Sequence, residues 1–485
     1  MAAADYPTIE PTSFDVVLCG TGLPEAVLAA ACAAAGKTVL HVDPNPFYGS
    51  LSSSLPPLSV PSFLIDSSST NPSTTETTII HLQRRSLYSE METSGTVPEP
   101  GSKRFTVDLV GPRVLYCADE AVDLLLRSGG SNHVEFKSLD GGTLIYWDGE
   151  LCPVPESREA IFLLQDTALN RNITATSVSC NDDMEASAGK KISEEDLNLP
   201  FIEFLKKQHL PRKMIAVMLY AIVMADYDQD AADSCEKLLT TRDGIKNVTL
   251  HFNSTGRFAN AQGAFIYPMY GHGELPQAFC RFAAVKGALY VLRMPVTGLL
   301  MDKKKQHCIG TRLASGQDIL CQQLILDPSY KIPSLDLPSD ASDSNPPRKV
   351  ARGICIFRRS VKLGSSNVLV VFPPKSLQEQ QVAALRVFQL GSNVAVCPPG
   401  MFIVYLSIPC ADAFMGKLCI KKAIEVHLET TSKDNEDLKQ VLIWKCIYVQ
   451  EITEGTSGSV LSCPMPDESL DYRNILESTK RVCIL

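Results

Sequence analysis

Two glycines near the N-terminus form the kind of turn that binds nucleotide phosphates. Gly20 and Gly22 follow a strand-like apolar run, Phe14–Leu18, and precede Ala26–Ala35, whose small residues favour a helix. Such a turn at a helix N-terminus directs backbone N–H groups at a pyrophosphate. An acidic residue after the next strand holds the ribose hydroxyls, and Asp43 stands at that place. The segment therefore predicts a βαβ unit of the dinucleotide-binding type.

The third glycine of this pattern is absent, and Glu25 stands in its place. A carboxylate in the first turn complements the helix dipole itself and repels a pyrophosphate. We therefore expect a dinucleotide-binding scaffold without a cofactor, in which the cofactor-binding residues are vestigial: Gly20, Gly22, Glu25 and Asp43. A flavin-dependent oxidoreductase is the alternative, and it requires this turn to accept FAD.

A second candidate site lies in Phe265–Arg293, where an apolar strand-like start runs into a glycine-framed turn and then a helix-like run. At helical spacing Glu274, Gln277 and Arg281 share one face, at positions i, i+3 and i+7. One interpretation is a solvated helix face with an ion pair. The other is a preorganised polar surface for a protein partner.

The composition limits the classes of function. The chain has 485 residues, 45% of them hydrophobic, and a net charge of −9, which argues against nucleic-acid binding. Its 16 cysteines contain no CxxC pair, so no zinc site is indicated. The longest apolar run, Met214–Ala225, is too short to span a bilayer, and no signal-peptide pattern is visible. The scattered cysteines are typical of a reducing compartment, so we expect a cytoplasmic protein. No catalytic motif nominates a nucleophile or base, so we expect that it is not an enzyme.

Three segments together resemble one family. Tyr267–Arg281, YPMYGHGELPQAFCR, resembles the second conserved region of Rab GDP-dissociation inhibitors and Rab escort proteins. The GTGLPE turn is similar to the same family, whose fold is like that of FAD-dependent oxidases but which works without flavin. Asn45–Gly49, NPFYG, is similar to the family's NPYYGG segment, whose second tyrosine contacts the Rab, and Tyr48 occupies that position.

The resemblance implies partners and contact residues. A member of this family binds Rab GTPases in the GDP form, and an escort protein also presents them to the Rab geranylgeranyltransferase heterodimer. It then shields the geranylgeranyl lipid and makes transient contact with membranes. Phe162 occupies the position of the prenyltransferase-docking phenylalanine. The residues implied to bind Rab are Tyr48, Arg257, Glu274, Gln277 and Arg281.

The expected fold class is α/β: an FAD-oxidase-like dinucleotide-binding fold with mixed sheets, plus a smaller inserted helical domain. The large domain is expected to comprise residues 1–150 and 256–485, with the helical domain at 151–255. Within that insert, Ala231–Leu239 reads as a short helix that stops near Gly244. In the last part of the chain the pattern predicts strands, including Met401–Ser407 and Ile443–Gln450.

Two segments bear on the choice within the family. Residues 51–103 are rich in Ser, Thr and Pro and predict a long flexible insertion, which favours an escort protein. Residues 165–193 are polar and lack a helical period, where the resemblance implies an amphipathic helix. They predict a disordered segment in a shortened helical domain, which favours the alternative of a GDP-dissociation inhibitor without a role in prenylation.

Overall fold

The computed structural model of the chain describes residues 6, 8–65, 79–97, 101–139, 141–155, 192–230, 238–261, 263–302, 307–331, 348–431, 441–453, 458 and 460–484. In these ranges the largest units are two eight-stranded sheets. Both sheets contain parallel as well as antiparallel strand pairs. No helix in the same ranges combines the length and the apolar character needed to cross a bilayer.

Strands form most of the described elements. Before the helical segment, which we define as residues 194–254, they are β1 (Ser13–Cys19), β2 (Val39–Asp43), β3 (Ser54–Leu55), β4 (Ile79–His81), β5 (Gln83–Arg84), β6 (Tyr88–Gly95), β7 (Val107–Asp108), β8 (Leu115–Tyr116), β9 (Phe136–Ser138), β10 (Thr143–Trp147) and β11 (Glu150–Pro153). After it they are β12 (Phe265–Pro268), β13 (Leu289–Leu292), β14 (Val296–Met301), β15 (Cys308–Leu313), β16 (Asp318–Leu326), β17 (Tyr330–Lys331), β18 (Arg348–Phe357), β19 (Val368–Phe372), β20 (Leu385–Leu390), β21 (Phe402–Cys410), β22 (Leu442–Ile452) and β23 (Val460–Ser462).

Helices connect and cover these strands. They are α1 (Leu23–Ala34), α2 (Val60–Ile65), α3 (Glu120–Ser128), α4 (Glu194–Asn198), α5 (Phe201–Lys207), α6 (Arg212–Ala216), α7 (Thr241–Ser254), α8 (Glu274–Val285), α9 (Ala413–Thr431) and α10 (Arg473–Ile484). A π-helical stretch, Val217–Ile222, continues α6. Short 3₁₀ turns include Ser50–Ser52 and Ser392–Val394.

The first sheet positions the N-terminal turn. Its order is β13-β2-β1-β16-β15-β14-β4, with β23 beside β16. The four strands β13, β2, β1 and β16 run parallel, so their carboxyl ends meet at one edge. There Cys19 lies opposite Leu326, and Leu292 lies opposite Asp43. The helices α1 and α8 pack against each other beside this sheet, which brings the two candidate sites near one another.

The second sheet carries the main core. Its order is β11-β10-β19-β20-β21-β18-β22-β6, and β18 pairs along its whole length with β21 and β22. Alternate residues of β18 point to opposite faces. Cys355 packs with α9 on one face, while Ile354 and Ile356 pack with the helical segment on the other. This explains why the second half of β18, Gly353–Phe357, reads as a continuous apolar run, as is typical of strands covered on both faces.

The helical segment shares that core. Phe201 and Leu219 belong to the same buried cluster as Phe388 of β20. The predicted helix stop at Gly244 is wrong, because this glycine lies inside α7, which Thr240 caps by accepting a hydrogen bond from the Asp243 amide at 3.1 Å. A Cβ on Gly244 would lie only 2.4 Å from the Phe201 ring. The absence of a side chain at Gly244 therefore lets Phe201 of α5 pack directly against α7.

The described parts of residues 51–103 form regular elements, where the sequence predicts a long flexible insertion. Residues 51–65 and 79–97 contain β3, α2, β4, β5 and β6. β4 pairs with β14 of the first sheet, and β6 pairs with β22 of the second. Polar residues suit β6 because it is an edge strand whose side chains are largely exposed. The predicted disorder at 165–193 falls almost wholly outside the described residues.

Candidate functional site

The N-terminal turn is closed by the protein's own side chains. Asp43 is fully buried, and its Oδ2 accepts hydrogen bonds from the Thr21 amide at 2.7 Å, the Thr21 hydroxyl at 2.6 Å and the Ser50 hydroxyl at 2.7 Å. Its Oδ1 accepts from the Asn45 amide at 2.7 Å. Burial raises the pKa of Asp43, and these hydrogen bonds oppose the rise. The Asn45 side-chain Nδ2 also donates to Oδ1 at 2.9 Å, and a carboxylate that accepts five hydrogen bonds has little capacity left for a ribose.

Glu25 fills the same turn from the helix side. It is 2% exposed, and its Oε2 lies 2.5 Å from where a Cβ on Gly22 would stand. Burial raises the pKa of Glu25 well above its usual value, and the nearby Asp327 carboxylate adds to the rise. The Leu23 amide donates to the Ser52 hydroxyl at 3.3 Å. The amides of this turn therefore face protein oxygens.

These residues do not fit a flavin dinucleotide. The pyrophosphate would need the amides of Thr21 and Leu23, which donate to Asp43 and Ser52. The carboxyl group of Glu25 stands in the space that a glycine would leave open. The sequence identified Glu25 as the obstacle but missed the serines of the Ser50–Ser52 turn, whose polar residues give no distinctive local signal.

A second glycine turn leads into α8. Gly271 has φ +112°, and a Cβ there would stand 2.7 Å from Asp108 Oδ1 and from Ser54 Oγ. A Cβ on Gly273 would stand 2.8 Å from the Ser54 amide nitrogen. Only glycine suits Gly271, since both its backbone conformation and its surroundings exclude a side chain. The turn is consequently seated directly on β3 and β7.

Asp108 is the buried acceptor that fixes this turn. Its Oδ1 accepts from the His272 amide at 2.9 Å and from the Ser54 hydroxyl at 2.6 Å, and its Oδ2 accepts from the Tyr267 hydroxyl. The Gly273 amide in turn donates to Ser54 Oγ at 2.7 Å. The sequence analysis missed Asp108, which is joined to the turn by contacts more than 150 residues apart along the chain.

The His272 side chain extends this network to the C-terminal helix. Its Nε2 lies 2.9 Å from the Arg113 carbonyl, which can only accept, so Nε2 carries the hydrogen. Its Nδ1 then accepts from the Tyr472 hydroxyl at 2.7 Å. Burial lowers the pKa of His272. Since Arg113 also pairs with Asp467 at 2.6 Å, the residues just before α10 are tied to the turn.

The first two turns of α8 present the predicted polar face. Glu274 and Gln277 are partly exposed and Arg281 is exposed, and Gln277 Nε2 donates to Glu274 Oε1 at 3.2 Å. Partial burial raises the pKa of Glu274, while Arg281 and Gln277 oppose the rise. The other side of the helix is buried and packs into the core: Leu275, Ala278, Phe279, Cys280 and Ala283.

Tyr48 lies beside this helix. Its ring stands edge-on to the Tyr290 ring, with 5.9 Å between centroids. Partial burial raises the pKa of Tyr48, and the neighbouring Cys280 of α8 adds to the rise. The structure therefore brings Tyr48 together with α8, although the two are more than 200 residues apart in sequence. We call Tyr48, Glu274, Gln277 and Arg281 the polar platform.

Arg257 makes its contacts outside the polar platform. Arg257 donates from Nη1 to the Cys117 carbonyl at 2.8 Å and from Nη2 to Asp123 Oδ1 at 2.9 Å. These contacts attach the chain after α7 to α3, and a Rab-binding role for Arg257 stays a prediction. Phe162 lies outside the described residues, so its role in prenyltransferase docking also stays a prediction.

Tyr270 is an exposed aromatic residue that the sequence analysis did not single out. Its side chain is 56% exposed and its backbone has φ +71°. A left-handed conformation costs a residue with a Cβ about 1–2 kcal/mol. The Tyr270 amide donates to the Val394 carbonyl at 3.0 Å, which helps to hold that conformation. The positive φ of Tyr270 has no signal in the sequence and is seen only in the structure.

The fold and the closed turn define a class: a dinucleotide-binding scaffold whose cofactor turn is filled and which exposes a polar platform. Residues 10–61 and 65–441 match the family model described as GDP dissociation inhibitor. The chain therefore belongs to the GDP dissociation inhibitor family, and the resemblance found in the sequence is confirmed.

Curated relatives and solved structures agree with this assignment. The chain is 43% identical to Rab escort protein 1 of Arabidopsis thaliana, over 98% of this chain and 93% of that protein. It is 28% identical to Rab proteins geranylgeranyltransferase component A 2 of mouse, over 78% of this chain and 59% of that protein.

Two solved structures match the fold. A Rab GDI from Plasmodium falciparum gives a TM-score of 0.67 at 18% identity and covers 96% of each chain. An oxidoreductase from Methanosarcina mazei gives 0.57 at 12% identity, over 97% of this chain and 100% of that chain. The predicted FAD-oxidase-like α/β fold with mixed sheets is confirmed.

Proposed function

We propose that this chain is a Rab escort protein, which binds GDP-loaded Rab GTPases and presents them to the Rab geranylgeranyltransferase. The observation that carries the proposal is the 43% identity to a protein named Rab escort protein 1 across nearly the whole of both chains. The name of the mouse relative, a geranylgeranyltransferase component, supports the same enzyme as a partner. In this role the chain is an accessory protein, not an enzyme. It works in the cytoplasm and contacts membranes transiently while it delivers lipid-bearing Rab.

The polar platform is the proposed Rab-binding surface. Glu274 and Arg281 supply opposite charges one above the other on α8, which suits charge-assisted hydrogen bonds to a polar partner. Gln277 supplies a neutral amide between them, and Tyr48 a partly buried aromatic ring. Because the turn before α8 is fixed by Asp108, the platform is held in place before a partner arrives, which lowers the entropic cost of binding.

Glu274→Ala and Arg281→Ala test this surface. Truncating one partner of a charged interface pair commonly costs 2–5 kcal/mol, so we expect each variant to bind GDP-loaded Rab at least about 10-fold more weakly. Arg481→Ala is the matched control, because Arg481 is an exposed arginine on α10, outside the platform. Titration calorimetry measures all three affinities. Wild-type affinity in both platform variants would refute the assignment.

A GDP-dissociation inhibitor is the second candidate function. It is favoured by the match to the Plasmodium falciparum Rab GDI, which spans 96% of both chains. A prenylation assay with purified Rab, geranylgeranyltransferase and lipid donor separates the two. An escort protein stimulates geranylgeranylation, whereas an inhibitor extracts prenylated Rab without stimulating the reaction. Phe162→Ala should reduce stimulation while leaving Rab affinity unchanged, since Phe162 is assigned to the prenyltransferase alone.

The flavin oxidoreductase alternative has a simple test. Glu25 and the Ser50–Ser52 turn occupy the place of the pyrophosphate, so we expect purified protein to be colourless and to take up no added FAD. Flavin absorbance that stays with the protein through gel filtration would favour the oxidoreductase.

A further inference from the structure

We propose that Tyr270 is an additional Rab-contact residue, an aromatic anchor next to the polar platform. The inference rests on the proposed function and deepens it by naming an apolar contact that accompanies the polar ones. It starts from the exposure and backbone conformation of Tyr270 and from the bonds that hold the turn around it.

Exposure sets Tyr270 apart from other aromatic residues. Among the described residues, the large hydrophobic side chains that are exposed include two aromatic rings, Tyr270 at 56% and Phe414 at 68%. Phe414 lies in α9. Tyr270 instead has φ +71°, a region that disfavours any residue with a Cβ. A glycine would fit this backbone without strain, so the tyrosine has a cost in backbone energy that a contribution to binding would explain.

Hydrogen bonds on both sides fix the backbone that carries this ring. Before it, the Met269 amide donates to the Glu135 carbonyl at 2.8 Å, and the Tyr270 amide itself donates to Val394. After it, the His272 amide donates to Asp108. The backbone therefore holds its shape before binding. An exposed aromatic side chain on such a backbone has only two side-chain torsions to fix, so it offers a large contact area at low cost in conformational entropy, which is typical of binding anchors.

Tyr270 is also close to the platform. It precedes Glu274 by four positions, so their Cα atoms are at most about 13–14 Å apart even along a fully extended chain. The Glu274 amide donates to the Gly271 carbonyl at 3.2 Å, which folds the chain between them into a turn and shortens that distance. A partner that contacts Glu274 therefore reaches Tyr270 within one interface of ordinary size.

The chemistry of these groups describes the partner surface. The Tyr270 ring requires an apolar patch, and the charges of Glu274 and Arg281 require complementary charges beside that patch. An apolar centre with a polar rim is the usual composition of a protein interface. We assign this surface to the folded GTPase domain of the Rab, since the platform that adjoins Tyr270 is proposed to bind that domain.

The test compares three substitutions at this position with one control. Tyr270→Ala removes the ring, Tyr270→Phe keeps it, and Tyr270→Gly removes both the ring and the backbone strain. Phe414→Ala removes the other exposed ring. Affinity for GDP-loaded Rab is measured by calorimetry, and the melting temperature of each variant by scanning fluorimetry. We expect Tyr270→Ala and Tyr270→Gly to bind at least about 10-fold more weakly, while Tyr270→Phe and Phe414→Ala stay within about threefold of wild type.

The melting temperature separates binding from folding. Because glycine accepts positive φ, Tyr270→Gly should melt no lower than wild type while it loses affinity. Loss of affinity together with a lower melting temperature in Tyr270→Gly would show a structural role and overturn the inference. Full affinity in Tyr270→Ala, with weak binding by Glu274→Ala, would overturn it and leave the proposed function intact. Failure of the wild-type chain to bind Rab would overturn both.

Discussion

At the scale of single residues, Glu25 decides what the scaffold can hold. The sequence suggested that the charge of Glu25 would repel a pyrophosphate, whereas in the structure Glu25 occupies the space that a pyrophosphate would need. Glu25 is buried, and burial favours its protonated form by raising its pKa. It excludes the cofactor by filling the turn, with help from Ser50 and Ser52. The replacement of the glycine could be read from the sequence, whereas the contribution of the serines depends on how the chain folds back over the turn.

Asp119 offers a test of buried charge at the same scale. It caps α3 by accepting from the Ala121 amide at 3.0 Å, while its buried Oδ2 accepts no hydrogen bond from the described residues. Burial raises its pKa to about 7, and Asp471 adds to the rise. A raised carboxyl pKa stabilises the fold below the pKa of the unfolded chain, near 3.8, and this stabilisation is lost as pH rises through about 7.

We therefore expect Asp119→Asn to gain stability relative to wild type as pH rises. Asparagine keeps the capping oxygen and removes the ionisation. The free energy of unfolding of the variant minus that of wild type should increase by about 1–3 kcal/mol between pH 4 and pH 8. Urea unfolding at the two pH values measures it. Asp148→Asn, at an exposed position, is the control and should show no such trend. A flat difference for Asp119→Asn would contradict the raised pKa.

At the scale of elements, the sequence predicted the helices and strands that have a clear local pattern. The βαβ unit at the N-terminus and the strand, turn and helix of Phe265–Val285 are present. α7 was missed because Gly244 resembles a stop, although tight packing on Phe201 requires it. α9 was also missed, yet its buried positions Cys419, Ile420, Ala423, Ile424 and His427 follow a helical period. The helix α9 could therefore have been predicted from the sequence alone.

The glycine turn before α8 should tolerate no side chain. Gly271→Ala combines a positive φ with a Cβ that lies 2.7 Å from Asp108 and Ser54. We expect the free energy of unfolding to fall by about 2–4 kcal/mol, since backbone strain and overpacking add. Rab binding should weaken as well, because α8 begins three residues later. Denaturant unfolding and calorimetry measure the two effects.

Gly287→Ala is the matched control for that substitution. Gly287 has φ +98°, but a Cβ there meets nothing within 4 Å. It should cost only the backbone strain, about 1–2 kcal/mol. The difference between the two variants therefore isolates the contact with Asp108 and Ser54. Equal losses of stability would show that this contact does not hold the turn.

At the scale of the whole molecule, the polar platform depends on chain segments that are far apart in sequence. The turn before α8 is held by Ser54 and Asp108, and through His272 by Tyr472. No local pattern joins these residues, so the sequence could give the face of α8 but not what fixes it. The helical segment is likewise joined to the second sheet by a common core, a relation that a division into domains by composition does not show.

The Arg386 side chain joins that sheet to the helical segment by hydrogen bonds and an ion pair. It lies on β20, is 3% exposed, and donates from Nη2 to the carbonyls of Met224 and Ala225 at 2.6 and 3.1 Å. It also pairs with Asp226. Arg386→Met removes these bonds and leaves two carbonyls without their donor, so we expect about 2–3 kcal/mol of destabilisation, concentrated in the helical segment.

Hydrogen exchange locates that loss within the molecule. In Arg386→Met, amides of α5 and α7 should exchange faster, while those of α1 and α8 in the other core keep their protection and Rab affinity is retained. Arg242→Met is the control, since Arg242 pairs with Glu194 within the same segment but both side chains are exposed, at 57% and 78%, and it should change stability by less than about 1 kcal/mol. A uniform loss of protection across both sheets would instead show that the helical segment and the sheets unfold as one cooperative unit.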